Sequence, residues 1–219
     1  MARIGVVDLQ GGVVEHLMHL EGIGVPAVRV KEPSDLDNLA GLIMPGGESS
    51  CLSRLFRRYG LDVAIRERFS AGLKLWGTCA GAILVARRVD GAPGHLGLMD
   101  IDIRRNAFGS QLDSFDTRAE IPAVSDRPLP LTFIRAPKIT RLGEGVRSLS
   151  MLNDYWAAAE DAQTLVTAFH PELTPDSSFH GYFCRKCGLD TVAAPPSTQP
   201  PPQLSTQQWD SWTRLAPIP

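Results

Sequence analysis

Positive charge is neither abundant nor clustered in this chain: its 219 residues include 22 Lys or Arg against 24 Asp or Glu, for a formal net charge of −2. A nucleic-acid partner requires a basic stripe or patch, and no basic run stands out, so that class is set aside. Long apolar runs are also missing. None approaches the roughly 18 residues needed to cross a bilayer, so no membrane partner is expected. A secretory leader is not evident, because Met1-Ala2-Arg3 passes straight into Ile4-Gly5-Val6-Val7 without a long apolar region or a small-residue cleavage site. Cysteine is scarce, with Cys51 and Cys79 isolated and one Cys184-x-x-Cys187 pair. That usage does not fit the disulfide framework of a small secreted domain, and a cytoplasmic location is expected. No internal repeat is present.

What remains is a chain able to build a core, with 43% hydrophobic and 21% charged residues. Short apolar runs bounded by glycine or proline alternate with helix-like segments. Strands are predicted over 4–9, 27–30, 41–44 and 73–76, and helices over 13–21, 50–59, 61–71 and 80–88. This β-α-β-α rhythm predicts an α/β fold with a largely parallel sheet and helices on both faces. Alternation over 99–105, 117–121 and 131–135 predicts added antiparallel strands, and 164–169 a last strand. Residues 1–192 are expected to form one domain. From 193 to 219 the chain is rich in Pro, Ser, Thr and Gln with little to bury, which predicts a disordered tail. Trp209 and Trp212 are too few to suggest otherwise.

The sharpest motif is Gly77-Thr78-Cys79-Ala80-Gly81, set between a predicted strand and a predicted helix. This is the pattern of a nucleophile elbow, with cysteine where hydrolases place serine. Small neighbours let the turn close, and the helix start brings backbone N–H groups and positive dipole beside the sulfur. The N–H of Ala80 is placed to stabilise an oxyanion. A thiol nucleophile needs a base and an orienter, and His170-Pro171-Glu172 offers both at the end of another strand. Strand ends of a parallel sheet gather at one rim, so Cys79 and His170 can meet there. The third motif, Pro45-Gly46-Gly47-Glu48-Ser49-Ser50, also joins a strand to a helix. It lacks the Lys of a P-loop, and its bland reading is a helix start capped by Glu48 or Ser49.

Together these motifs resemble the class I glutamine amidotransferases, and most closely their vitamin B6 branch, the glutaminase subunits of pyridoxal 5′-phosphate synthase. The resemblance also rests on Leu9-Gln10-Gly11 with Glu15-His16, on Arg105-Asn106-Ala107-Phe108-Gly109, on Phe133-Ile134-Arg135-Ala136-Pro137 and on Phe169-His170-Pro171-Glu172-Leu173-Thr174. It covers most of residues 3–175 and implies a three-layer α/β sandwich. It makes Cys79 the nucleophile and His170 and Glu172 its relay. It implies that Gly47, Glu48, Ser49, Arg105, Ile134 and Arg135 bind L-glutamine, with Gly47 supplying a second oxyanion N–H beside Ala80. Free glutamine carries one charge of each sign, which agrees with an acid at Glu48 and a base at Arg105. The implied partner is a (β/α)8-barrel synthase subunit that receives the ammonia, and no cofactor is implied. Two other readings stay open: a glutaminase serving another biosynthetic synthase, and a catalytically idle regulatory subunit with the same fold.

The likeness has gaps. Ser110 stands where the family usually has arginine, Asp8 replaces a small residue, and Gly12 a small or acidic one. Beyond Asp176 the usual terminal helix is not recognisable. His180, Cys184 and Cys187 there invite a zinc reading, but the second ligand pair of a structural site is missing, so no metal is expected.

Overall fold

The computed structural model describes residues 2–105 and 114–192. The predicted tail and most of the Arg105–Gly109 segment therefore lie outside the described residues. Strands β1 (Arg3–Val7), β2 (Ala27–Val30), β3 (Leu39–Met44) and β4 (Lys74–Thr78) alternate with helices α1 (Val13–Gly22), α2 (Ser49–Tyr59) and α3 (Leu61–Ser70). Helix α4 (Ala80–Val85) follows β4 directly. Then come β5 (Ala86–Val89), β6 (Ala92–Pro93), β7 (Met99–Arg104), β8 (Ser114–Ala119), β9 (Leu129–Ile134), β10 (Lys138–Leu142), β11 (Arg147–Leu152), β12 (Tyr155–Glu160), β13 (Thr164–Thr167) and α5 (Ser178–Lys186).

The main sheet runs β2-β1-β3-β4-β13-β12-β10-β7-β5-β6, with β11 beside β12. From β2 to β13 every pairing is parallel, and β12 and β10 join it antiparallel. Alternation along the parallel strands sorts side chains into two cores. Val7, Leu42, Met44, Leu75 and Val166 pack with α2, α3 and α4, whereas Ile4, Val6, Ile43, Trp76 and Leu165 pack with α1, α5 and the β8–β9 ribbon. This is the expected three-layer α/β architecture, since a period of two sends neighbours to opposite faces. No helix among the described residues is long and apolar enough to cross a membrane.

Three expectations need correction. The predicted helix 80–88 stops at Val85, because Ala86–Val89 pairs with β7, and pairing in the sheet overrides a modest helix preference. Strands β8 and β9 form their own two-stranded sheet rather than extending the main one. The chain beyond Asp176 does carry a terminal helix, α5, whose Phe179, Phe183 and Cys184 are buried.

Candidate active site

Three adjacent parallel strands end in the three motifs. Met44 of β3 pairs with Gly77 of β4, and Thr78 of β4 pairs with Thr167 of β13. The residues that follow them, Gly46-Gly47, Cys79 and His170, therefore emerge side by side on one rim, where open α/β sheets bind ligands. Leu9-Gln10-Gly11 leaves the same rim from β1, the other neighbour of β3.

Cys79 is the elbow. Its φ is 47° and ψ −103°, a region an L-residue avoids unless its surroundings enforce it. Enforcement comes from both sides. The Cys79 N–H donates to the Thr167 carbonyl at 2.8 Å and its carbonyl accepts from Ile83 at 3.3 Å. At Gly81 a side chain would meet the Met44 carbonyl oxygen at 1.9 Å, so only glycine lets α4 start this close to β3. Ala80 opens the helix, so its N–H is among those that the helix itself leaves without a partner.

The His170 imidazole stands beside Cys79, both of them against Gly46, and its Nδ1 lies 2.8 Å from Glu172 Oε1. Burial works against a charged imidazole, but the charges of Cys79 and Glu172 and hydrogen bonds to both raise the His170 pKa well above its ordinary value. Glu172 is 3% exposed. Burial opposes its ionisation, yet His170 and His16 beside it keep its pKa low. A carboxylate on Nδ1 leaves Nε2 to work on the sulfur. The structure thus brings together the three residues expected to form the relay.

The Gly46-Gly47 turn closes over this group. A Cβ on Gly46 would lie 2.4 Å from His170 Cε1 and 3.4 Å from Cys79 Cβ, so the glycine makes room for the imidazole. Gly47 has φ +145°, outside the range of ordinary side chains. Gln10 Oε1 accepts the Glu48 N–H at 3.1 Å, tying the first rim loop to this turn.

The expected substrate residues divide. Glu48 caps α2: its carboxylate accepts from Ser50 N at 3.0 Å, Ser50 Oγ at 2.6 Å and Cys51 N at 2.6 Å. Slight burial opposes, and those hydrogen bonds from Ser50 and Cys51 outweigh it, so its pKa is lowered. Ser49 is buried as the first residue of α2. Ile134 ends β9, which reaches the relay through His170 N donating to Thr132 O at 2.8 Å, and Arg135 follows with φ 44°. Arg105 is not drawn to the relay by any contact among the described residues. Asp90 holds it instead, through Arg105 N at 2.9 Å and Nε at 2.7 Å.

Sequence reasoning missed Asp90, and it missed that His16 and His180 pair behind Glu172. Its zinc candidates do not converge: His180 faces His16 at 2.9 Å, Cys184 sits in the apolar core, and Cys187 lies against Gly41. Among the described residues no group of three or more ligating side chains could hold a metal ion.

Comparison with known proteins agrees with the geometry. The SNO glutamine amidotransferase family matches residues 6–189. The pyridoxal 5′-phosphate synthase subunit PdxT of Syntrophus aciditrophicus (strain SB) is 56% identical over 216 residues, covering 98% of this chain and 94% of the relative. That of Clostridium kluyveri is 46% identical over 186 residues, 84% of this chain and 99% of the relative. The crystal structure of a glutamine amidotransferase superposes with a TM-score of 0.80 at 40% identity, covering 85% of this chain and 99% of that one.

Proposed function

The chain belongs to the SNO glutamine amidotransferase family, and from that premise we propose that Cys79, His170 and Glu172 carry out its glutaminase chemistry. The chain is a glutaminase: it hydrolyses L-glutamine to L-glutamate and ammonia as a subunit of pyridoxal 5′-phosphate synthase. Its partner is the (β/α)8-barrel synthase subunit, which takes up the ammonia. A cytoplasmic location suits that role.

The chemistry runs in two halves. Cys79 Sγ attacks the side-chain amide carbon of glutamine, and the oxygen that becomes negative is stabilised by the N–H of Ala80 and, once its peptide faces the site, that of Gly47. His170 gives its proton to the departing nitrogen, so ammonia leaves and a γ-glutamyl thioester remains on Cys79. His170 then takes a proton from water as that water attacks the thioester carbon. Glutamate is released, and the sulfur and imidazole return to their starting state. Glu172 holds the ring throughout, with Nε2 toward the reacting atoms. Ser49, the Ile134-Arg135 segment, Glu48 and Arg105 bind the amino-acid end of glutamine. For Glu48 this adds to its capping role, and for Arg105 it requires the guanidinium to be shared with Asp90.

The observation that carries this reading is the strained Cys79 at the start of α4, set beside a part-buried imidazole that Glu172 orients. A diazoketone analogue of glutamine tests it. The label is expected on Cys79 alone, with protection by glutamine. Label on Cys51, Cys184 or Cys187 that abolishes turnover would overturn the assignment.

A further inference from the structure

Behind Glu172 lies a second set of polar side chains that the reaction as derived does not use. His16 of α1 and His180 of α5 are both 0% exposed. His16 Nδ1 lies 2.9 Å from His180 Nε2, and His16 Nε2 lies 3.6 Å from Glu172 Oε2. Trp76 meets both rings edge-on, at centroid distances of 5.5 Å and 5.0 Å, and His19 stacks on His180 at 4.3 Å. The charged or titratable groups facing His16 are therefore Glu172, His180 and His19, with His170 beyond the carboxylate.

Three buried atoms in this set make no hydrogen bond: His16 Nε2, Glu172 Oε2 and His180 Nδ1. Buried polar atoms are rarely left so, and the first two face each other. Proton placement follows from that. If His16 carried its proton on Nδ1, the lone pair of Nε2 would face the carboxylate and both would be destabilised. With the proton on Nε2 the contact becomes attractive, and a small side-chain rotation closes it to a hydrogen bond. Nδ1 of His16 must then accept, so His180 carries its own proton on Nε2. That leaves His180 Nδ1 bare against the stacked His19 ring, which accounts for the third atom. Both rings are neutral in this arrangement, in keeping with burial, which lowers both pKa values.

We infer that His16 is a positioning residue of the relay: its Nε2–H holds the second oxygen of Glu172, and His180 fixes the tautomer in which it can do so. The inference rests on the Cys79-His170-Glu172 reading. One carboxylate oxygen is tied to His170 and the other to His16, so Glu172 cannot swing away from the imidazole it orients. Gly12 backs the same carboxylate, since a Cβ there would lie 2.9 Å from Glu172 Oε1. Second partners of this kind commonly set the orientation of a functional group they hold.

The test uses the full chain with its synthase partner. His16→Gln and His16→Met are similar in length and volume, but only Gln carries a donor. His16→Met is expected to lower kcat roughly tenfold with little change in KM for glutamine, and His16→Gln to restore most of it. In a Glu172→Ala background the two should be indistinguishable, because the route through the carboxylate is gone. Equal kcat for the two in the native background, or a change confined to KM, overturns the inference. Nitrogen-15 NMR of the unsubstituted chain supplies a measurement that no misfolded variant can obscure. Neutral His16 and His180, both protonated on Nε2, are expected, and His16 protonated on Nδ1 contradicts the inference. Failure of the triad reading would look different, since Cys79→Ala would then retain turnover whatever His16 does.

Discussion

Cys79, His170 and Glu172 are three side chains with unequal duties, and their substitutions should separate accordingly. In the proposed reaction His170 carries the proton in both halves, so His170→Asn is expected to lower kcat by roughly a thousandfold or more. On the same proposal Glu172 only orients and stabilises the ring, so Glu172→Gln should cost clearly less. Steady-state glutamate release with the synthase present measures both, and equal losses would mean that Glu172 does more than orient. Glu48 has one observed duty, the cap, and one proposed duty, glutamine binding. As the cap of α2 it satisfies two backbone N–H groups, so Glu48→Ala should destabilise the chain by about 1 kcal/mol as well as raise KM for glutamine. Denaturant unfolding read alongside the kinetics distinguishes these, and an unchanged midpoint would remove the cap from the account.

The rim is assembled by elements: β1, β3, β4 and β13 run parallel, and each hands one loop to the site. Because the imidazole fills the space above Gly46, Gly46→Ala should displace His170 and depress kcat even though α2 and β3 stay in place. Gly47→Val should act differently. We expect docking of the synthase to raise turnover by turning the Gly47 N–H toward the oxyanion; a β-branched residue resists φ near +145°, so that rise should disappear while basal turnover persists. Comparing each variant with and without the synthase separates the two effects, and stimulation preserved in Gly47→Val would contradict the second. These loops were legible in the sequence because each carries glycine or proline just after a strand run. Other elements were hidden for physical reasons. β12 contains Ala157, Ala158 and Ala159, all fully buried, and an alanine run gives no alternation to read. β5 owes its strand form to β7, which no local pattern reveals. His16 and His180 are 164 residues apart, so their pairing exists only once α1 and α5 dock. Asp90 likewise meets Arg105 only through the β5–β7 pairing.

For the molecule as a whole, the buried histidines set an acid limit on stability. Burial pushes His16 down to about 4, and likewise lowers His19 and His180. Unfolded, each would titrate near 6.5. Between those values the unfolded chain binds more protons than the folded one, so stability is intact above about pH 6.5 and falls as the pH drops toward 4, by on the order of 3 kcal/mol for His16 alone. Glu172, whose pKa is lowered despite burial by His170 and His16, adds a loss at the lower end. His170 does not offset this: its raised pKa contributes stability that is present in full below about pH 6.5 and is lost only as the pH rises, so it changes little over most of that window. Melting temperature against pH should therefore fall less steeply in His180→Phe than in the native chain, and parallel curves would show that His180 is not held neutral. At the same scale the chain acts with its synthase, and there the central claim meets its most direct measurement. Purified complexes containing the native chain or Cys79→Ala are supplied with glutamine or with ammonium salt, and glutamate and pyridoxal 5′-phosphate are followed. With Cys79→Ala we expect no glutamate and no product from glutamine, but undiminished product from ammonium. Glutamate release that survives in Cys79→Ala would contradict the assignment of the nucleophile and, with it, the reaction derived from this site.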